Sequence, residues 1–272
     1  MSHKLSLAFL TLHDCGPVDA IRIAAETGYD MVGLRLLPAA PDERPYALMN
    51  DRAVFREAVA ALHDTGIGVG DVEIARLKRE TIVSDFEPFL ERAAALGARH
   101  VLVAGDDPER NRLIETFAGF CRLALPFGLT ADLEFMPWTA VPDVATARAV
   151  VEGAAESNGG VLVDALHFDR SNSTLEEIRA LPAWMMHYAQ FCDGPAEYDS
   201  SDAELVRVAR SARLWPGQGG IDCVALAEAI PADLTISVEV ANHEYARTLQ
   251  PKARAAGARD ATLQVLRAAG RA

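Results

Sequence analysis

Apolar runs and helical repeats alternate along this chain from one end to the other. Residues 5–12, 31–36, 68–74, 101–104, 130–135, 161–164, 185–191 and 235–240 are short, nearly continuous apolar stretches. A strand covered on both faces reads this way, because neither side of its pleat meets water. Between these runs the apolar positions recur at helical spacing. In residues 17–27, Val18, Ile21, Ala24 and Ala25 fall on one face, and Gly28 stops the run. Asp51 and Asp85 stand where helix N-caps belong, and Gly66 and Gly97 stand where those helices end. Further helices are predicted over 108–125, 144–157, 174–180, 203–212, 223–229 and 252–269.

Strands that alternate with helices imply a parallel sheet. Eight such units, at the spacing of strand-plus-helix repeats, predict closure into a single (β/α)8 TIM barrel of the α/β class, one domain over residues 1–272. The competing fold is an open doubly wound sheet. Its dinucleotide-binding form carries G-x-G-x-x-G after the first strand. Here that place reads Leu12-His13-Asp14-Cys15-Gly16-Pro17.

Four polar breaks in the strand-like runs carry the candidate chemistry. They are Glu134 in Leu133-Glu134-Phe135, Asp164 in Val163-Asp164-Ala165, Gln190 in Ala189-Gln190-Phe191 and Glu239 in Val238-Glu239-Val240. Burying such groups is costly unless they are paired. Functional groups of a barrel sit at the C-terminal ends of its strands. Four consecutive strand ends would place these side chains around half the rim. Three carboxylates there repel one another, and a shared cation offsets the repulsion. An all-oxygen donor set suits Mn²⁺ or Mg²⁺ better than Zn²⁺, which favours His and Cys.

Other polar residues are weighed against this set. His187 lies three residues from Gln190 and so faces the other way; it is read as a core or outer-barrel histidine. Asp193 reads as a loop residue that orients its neighbours. His167 follows Asp164 by three residues, in a position for an acid, a base or a hydrogen-bond donor to substrate. Arg35 ends the second strand. It either grips a substrate carboxylate or phosphate, or pairs with Glu73 or Asp71. His13 and Trp138 are rim candidates. Of Arg207, Arg210 and Arg213, two are expected in solvent, with Arg210 or Arg213 reaching the pocket. Pro216-Gly217-Gln218-Gly219-Gly220 reads as a tight turn before a helix, not a phosphate loop.

Composition narrows the partners. A net charge of -13 argues against nucleic acid, whose phosphates need clustered Lys and Arg. No apolar stretch reaches membrane-spanning length. The N-terminus lacks a basic region and reads as a first strand, not a signal peptide. Four cysteines without pairing or C-x-x-C spacing suit reduced thiols in the cytoplasm.

The segment from Val18 to Arg35, Leu133-Glu134, the D-x-x-H of Asp164 to His167, and Pro216 to Asp222 together resemble the sugar-phosphate isomerase/epimerase family, the xylose-isomerase-like barrels. The resemblance covers nearly the whole chain. It aligns Glu134, Asp164, Gln190 and Glu239 with the family's four metal ligands, which implies one divalent metal ion. The family's third ligand is often His, three residues before an Asp. Here it is Gln190, three before Asp193, which weakens a zinc assignment and resembles the oxygen-rich site of the 3-dehydroshikimate dehydratase branch.

The expected activity is a metal-dependent isomerase or epimerase of a keto-sugar or related polyol, through an enediolate. Glu134 and Glu239 would exchange protons, His167 would assist, and Arg35, His13 and Arg210 would bind substrate. The alternative is a dehydratase of a cyclic keto acid or inosose, with His167 as the leaving-group acid. An abasic-DNA endonuclease of the same fold needs many His ligands, and this chain has seven His in all. A non-catalytic binding barrel is the remaining class. The partner is a small carbohydrate or polyol, and the sequence is compatible with a homo-oligomer.

Overall fold

A computed structural model describes residues 3–40 and 43–271. Eight parallel strands close into one barrel in sequence order. They are β1 (Leu5–Leu7), β2 (Met31–Arg35), β3 (Gly68–Leu77), β4 (His100–Gly105), β5 (Thr130–Glu134), β6 (Gly159–Asp164), β7 (Tyr188–Phe191) and β8 (Thr235–Val238). β1 pairs with both β2 and β8, which leaves no open edge. The expected (β/α)8 barrel is the observed fold.

The boundaries move where apolar pattern cannot tell a strand from a buried turn. β1 has only three residues, and Phe9–Leu12 winds into a 3₁₀ turn. β3 runs on to Leu77, past the expected end at 74. Met185 belongs to a 3₁₀ turn, Ala183–Met185, ahead of β7. Of the two predicted N-caps one holds: Asp85 lies inside a 3₁₀ turn, Val83–Phe86, and the helix that follows, Glu87–Ala95, has no side-chain cap. Asp51 accepts from the Ala53 amide at 2.7 Å and the Val54 amide at 3.2 Å, starting the helix Arg52–Thr65. Short helices at Ala47–Asn50, Ala165–Arg170 and His243–Thr248 were not expected. None is long enough to show a helical period.

The main core lies between the outer face of the strands and the surrounding helices. Ile21, Phe89, Phe117 and Phe120 are fully buried there against the strand residues Leu7, Leu34 and Val103. Each such side chain contributes about 1.5–3 kcal/mol. A second, small apolar cluster fills the barrel interior: Ile74, Leu102, Ala104, Met136, Leu162 and Tyr188.

The interior toward the N-terminal ends of the strands is polar. Ser6, Asp71, Asp132 and Ser237 are all buried. Ser237 Oγ donates to Asp71 Oδ1 at 3.3 Å, a bond that crosses the lumen because β8 and β3 are not neighbours. Glycines make room for these carboxylates. A Cβ on Gly33 would stand 2.8 Å from Asp71 Oδ2, and one on Gly160 would stand 2.6 Å from Asp132 Oδ1.

His187 is neither deep core nor on the barrel's outside, which corrects the expectation. It precedes the first residue of β7, half-buried, and its Nδ1 lies 2.6 Å from Asp132 Oδ1. Strand parity fails for it because the strand has not yet begun. Among the described residues no helix is long and apolar enough to cross a membrane.

Candidate metal centre

The four polar strand-end residues lie where the barrel opens at its C-terminal end. Glu134 is the last residue of β5 and Asp164 the last of β6. Gln190 lies within β7, and Glu239 follows β8 directly. All four are at most 3% exposed. Charged groups buried this deeply require partners.

Asp164 does two things. Its Oδ1 accepts from the His167 amide at 3.0 Å, which caps the short helix Ala165–Arg170. Its Oδ2 accepts from Arg213 Nη1 at 2.6 Å. The cap turns the His167 ring inward, so His167 is 2% exposed and not a loop residue. His167 Nε2 stands 3.8 Å from Glu134 Oε1 and 3.9 Å from Asp164 Oδ1. Trp138 packs edge-on against the ring, with centroids 5.0 Å apart.

Glu134, Asp164 and His167 each offer a ligand atom within 4.8 Å of the others. The sequence reading placed His167 outside the ligand set; the geometry brings it to the same point as Glu134 and Asp164. Glu239 is engaged elsewhere. Its Oε1 accepts from Gln190 Nε2 at 3.0 Å, and its Oε2 lies 3.1 Å from Arg213 Nη2. Arg213 therefore bridges Asp164 and Glu239 from a fully buried position. Sequence reasoning left this buried bridging residue as one of two options for the pocket. The usable signal was its place just before the Pro216 turn, not its helix.

Unpartnered atoms test whether a cation fits. Glu134 Oε1, Gln190 Oε1 and His167 Nδ1 are buried and have no hydrogen-bond partner. Native interiors rarely leave such atoms unpaired. Two carboxylates, an amide oxygen and an imidazole are an ordinary donor set for a divalent ion. The residues fit the group.

Electrostatics say the same. Burial pushes the Glu134 carboxyl well above its ordinary range, and the Asp164 and Glu239 charges push it further. Glu239 also moves up through burial; Arg213 opposes the shift, while Glu73 and Asp164 add to it. Burial works against ionisation of Asp164, but Arg213 and His167 overcome it and hold that carboxyl low. Burial lowers His167 to about 4, so the ring is neutral and available as a ligand or hydrogen-bond partner.

A cavity of about 240 Å³ opens above this centre. His13, Arg35, Trp138 and Arg210 all line it, as the sequence suggested. Arg35 is committed, however. Its Nε and Nη2 bond Glu73 Oε2 at 3.0 and 2.5 Å, and Nη1 lies 3.6 Å from Glu43. The ion-pair alternative is thus realised, with Glu73 and not Asp71. Arg207 and Arg210 are exposed and Arg213 buried, matching the expected two-to-one division. Asp193 is a buried loop residue that accepts from the Gly219 and Ile221 amides, each at 2.9 Å, and so orders the Pro216 turn.

Similar proteins narrow the reading. An inosose isomerase of Bacillus velezensis (strain DSM 23117 / BGSC 10A6 / LMG 26770 / FZB42) is 23% identical over 252 residues, covering 86% of this chain and 87% of that protein. The crystal structure of the IOLI protein with a binding zinc atom superposes with a TM-score of 0.78 at 21% identity, over 97% of this chain and 98% of the other. A D-psicose 3-epimerase structure, solved in the presence of D-fructose, gives 0.74 at 14% identity, over 98% and 99%. With residues 21–268 matching the family as a whole, this chain belongs to the xylose isomerase-like TIM barrel family.

Proposed function

We propose that the protein is a divalent-metal-dependent isomerase or epimerase of a keto-sugar or related polyol. The observation that carries this reading is the convergence of Glu134, Asp164 and His167 with three unpartnered buried atoms beneath a substrate-sized cavity. The inosose isomerase and D-psicose 3-epimerase relatives support the reaction class.

Glu134, Asp164, Gln190 and His167 would hold the cation, with Glu239, paired with Arg213, adding a further carboxylate to the set. A cation held there would supply Lewis-acid polarisation of a substrate carbonyl, which would acidify the adjacent C–H. Glu239, raised to about 8 by burial, would take up the substrate proton from its ionised form, which dominates above that pH, and return it afterwards. Arg213 orients Glu239 and stabilises negative charge that develops on substrate oxygen. His167 donates a hydrogen bond to a substrate oxygen, and Trp138 fixes its ring. The oxygen-rich donors favour Mn²⁺ or Mg²⁺. The zinc of the IOLI structure and the closeness of His167 argue for testing Zn²⁺ beside them.

One observation favours elimination as the second reading: His167 sits where a leaving hydroxyl could be protonated, directly beside the carboxylates. Keto-sugars, inososes and dehydroshikimate, incubated with protein and Mn²⁺ in D₂O, separate the two by proton NMR. Exchange at one carbon with the hydroxyl retained means isomerase or epimerase; a new alkene signal means dehydratase. Neither signal with any metal would refute the enzyme reading.

A further inference from the structure

A second cleft, of about 320 Å³, is lined by Arg52, Phe55, Arg56 and Arg92. None of these side chains lines the catalytic cavity. The first three belong to the helix Arg52–Thr65, and Arg92 stands in the last turn of the helix Glu87–Ala95. Three guanidiniums and one aromatic ring thus wall a single cleft, and no carboxylate shares it. The chain as a whole has 39 acidic residues against 26 basic ones. Other exposed arginines are paired: Arg207 with both oxygens of Glu204, and Arg247 with both of Glu244.

Among the described residues Arg52, Arg56 and Arg92 have no ion pair. Glu57 and Glu91, beside them in sequence, are exposed and make none with them. Asp51 is engaged in capping the helix, through the Ala53 and Val54 amides. Helix stability does not account for the arrangement. Arg52 and Arg56 are four residues apart on one face, where like charges repel. Arg52 also opens its helix, the end where the dipole disfavours a cation. Arg92 is held in place: its guanidinium lies over the Phe55 ring, 4.2 Å from the centroid, and its Nη2 donates to the Met49 carbonyl at 3.5 Å. A guanidinium carries five N–H donors, so most of this one's remain free.

We propose that this cleft binds the phosphate group of a small molecule, a phosphate monoester or a diphosphate, at a site separate from the catalytic cavity. A phosphate accepts two parallel N–H bonds from each guanidinium that meets it, and its charge relieves the repulsion among the three. Arg92, already fixed by Phe55 and Met49, supplies a placed donor, and Arg52 and Arg56 face it from the neighbouring helix. The size of the cleft suits a small ligand. Three arginines in one cleft of a chain of net charge -13 do not suit the extended backbone of a nucleic acid. The site does not depend on the isomerase reading.

The test is calorimetry with inorganic pyrophosphate, sulfate and a glutamate-rich peptide, on the full chain at about physiological ionic strength. Pyrophosphate should saturate one site. The double variant Arg52→Ala, Arg56→Ala should bind it about 10- to 100-fold more weakly, the range of a lost charge-assisted hydrogen bond. Arg92→Lys should keep part of the affinity. Arg22→Ala, which removes an exposed arginine from the helix Pro17–Glu26, should leave it unchanged. Pyrophosphate should also raise the melting temperature of the wild type and not that of the double variant, which separates a lost site from a lost fold. Absence of saturable binding, equal affinity for sulfate and pyrophosphate, or undiminished binding by the double variant overturns the proposal. Binding lost in Arg210→Ala but kept in the double variant would put the anion in the catalytic cavity and overturn it too. A peptide held more tightly than pyrophosphate would assign the cleft to an acidic protein segment and overturn the small-molecule assignment.

Discussion

The barrel holds two histidine–carboxylate clusters, one at each end, and they behave in opposite ways. At the C-terminal end His167 stands 3.8 and 3.9 Å from Glu134 and Asp164, too far to bond them. At the N-terminal end His187 stands 2.6 Å from Asp132, which also accepts from Thr130 Oγ1 at 2.5 Å. Burial drives His167 down to about 4. Burial works the same way on His187, but the Asp132 hydrogen bond and charge overcome it and raise that pKa. The upper cluster leaves Glu134 Oε1 and His167 Nδ1 unpartnered, while both oxygens of Asp132 are used. Residue type alone does not separate a site from a structural cluster. Satisfaction does: a closed network contributes to the fold, and an open one awaits a ligand.

The largest effect should come from removing an upper carboxylate. Glu134→Gln keeps the shape but deletes the charge that a cation needs. Bound metal, measured by elemental analysis, should fall together with turnover, by roughly 10²–10⁴-fold in rate if proton transfer is also lost. The melting temperature should hold or rise, because a carboxyl whose ionisation is opposed by burial and by the Asp164 and Glu239 charges has become a neutral amide. Full metal content with normal turnover would break the contrast between the two ends.

His167→Asn sharpens the same site. If the reaction is an elimination, loss of the leaving-group acid should abolish alkene formation and spare C–H exchange, again by on the order of 10²–10⁴. If it is an isomerisation, the variant should chiefly raise KM with a modest loss of kcat. Unchanged kinetics would reduce the His167–Trp138 contact to packing.

The fold was legible because strands covered on both faces and capped helices leave strong local patterns, as at Met31–Arg35 and Asp51. Glu134, Asp164, Gln190 and Glu239 were legible because each interrupts an apolar strand. Two features were not. His167 depends on Asp164 serving as strand end and helix cap at once, which a six-residue helix cannot announce. Arg213 depends on a backbone bridge that pins it under Ala241, with its amide 2.9 Å from that carbonyl, and no period in the sequence encodes such a contact. The lower cluster misled for a related reason: His187 lies outside the strand whose alternation was applied to it.

Asp132→Asn tests the closed network. It removes the charge that holds His187 and Thr130, and stability should fall by about 2–3 kcal/mol, the worth of a charge-assisted hydrogen bond. That lowers the melting temperature by roughly 5–10 °C for a chain of this size. The loss should depend on pH. A histidine with a raised folded pKa stabilises fully below its unfolded value of about 6.5 and loses that contribution as pH rises through the folded value. The gap between wild type and variant should therefore be widest near pH 6 and narrow in alkali. Metal content should not change, since the upper rim is untouched.

The smallest effect on turnover belongs to Asp71, the one lower carboxylate that is not fully satisfied. Its Oδ1 accepts from Ser237, but its Oδ2 is buried without a partner. Burial, reinforced by the Glu73 charge, pushes its pKa up to about 8. The folded chain thus keeps a proton that the unfolded chain releases near pH 4. No penalty exists below that point, because both states are protonated. Between about pH 4 and 8 the unfolded state gains by ionising, so the native state loses stability as pH rises; above about 8 the loss is complete and constant. Asp71→Asn keeps the acceptor for Ser237 and cannot ionise. It should melt like wild type near pH 4 and increasingly above it as the pH rises to 8. Thermal melts at several pH values decide this. A variant less stable than wild type at pH 8 would mean that the Asp71 charge has a partner in solution and that the lower interior, like the upper rim, binds something.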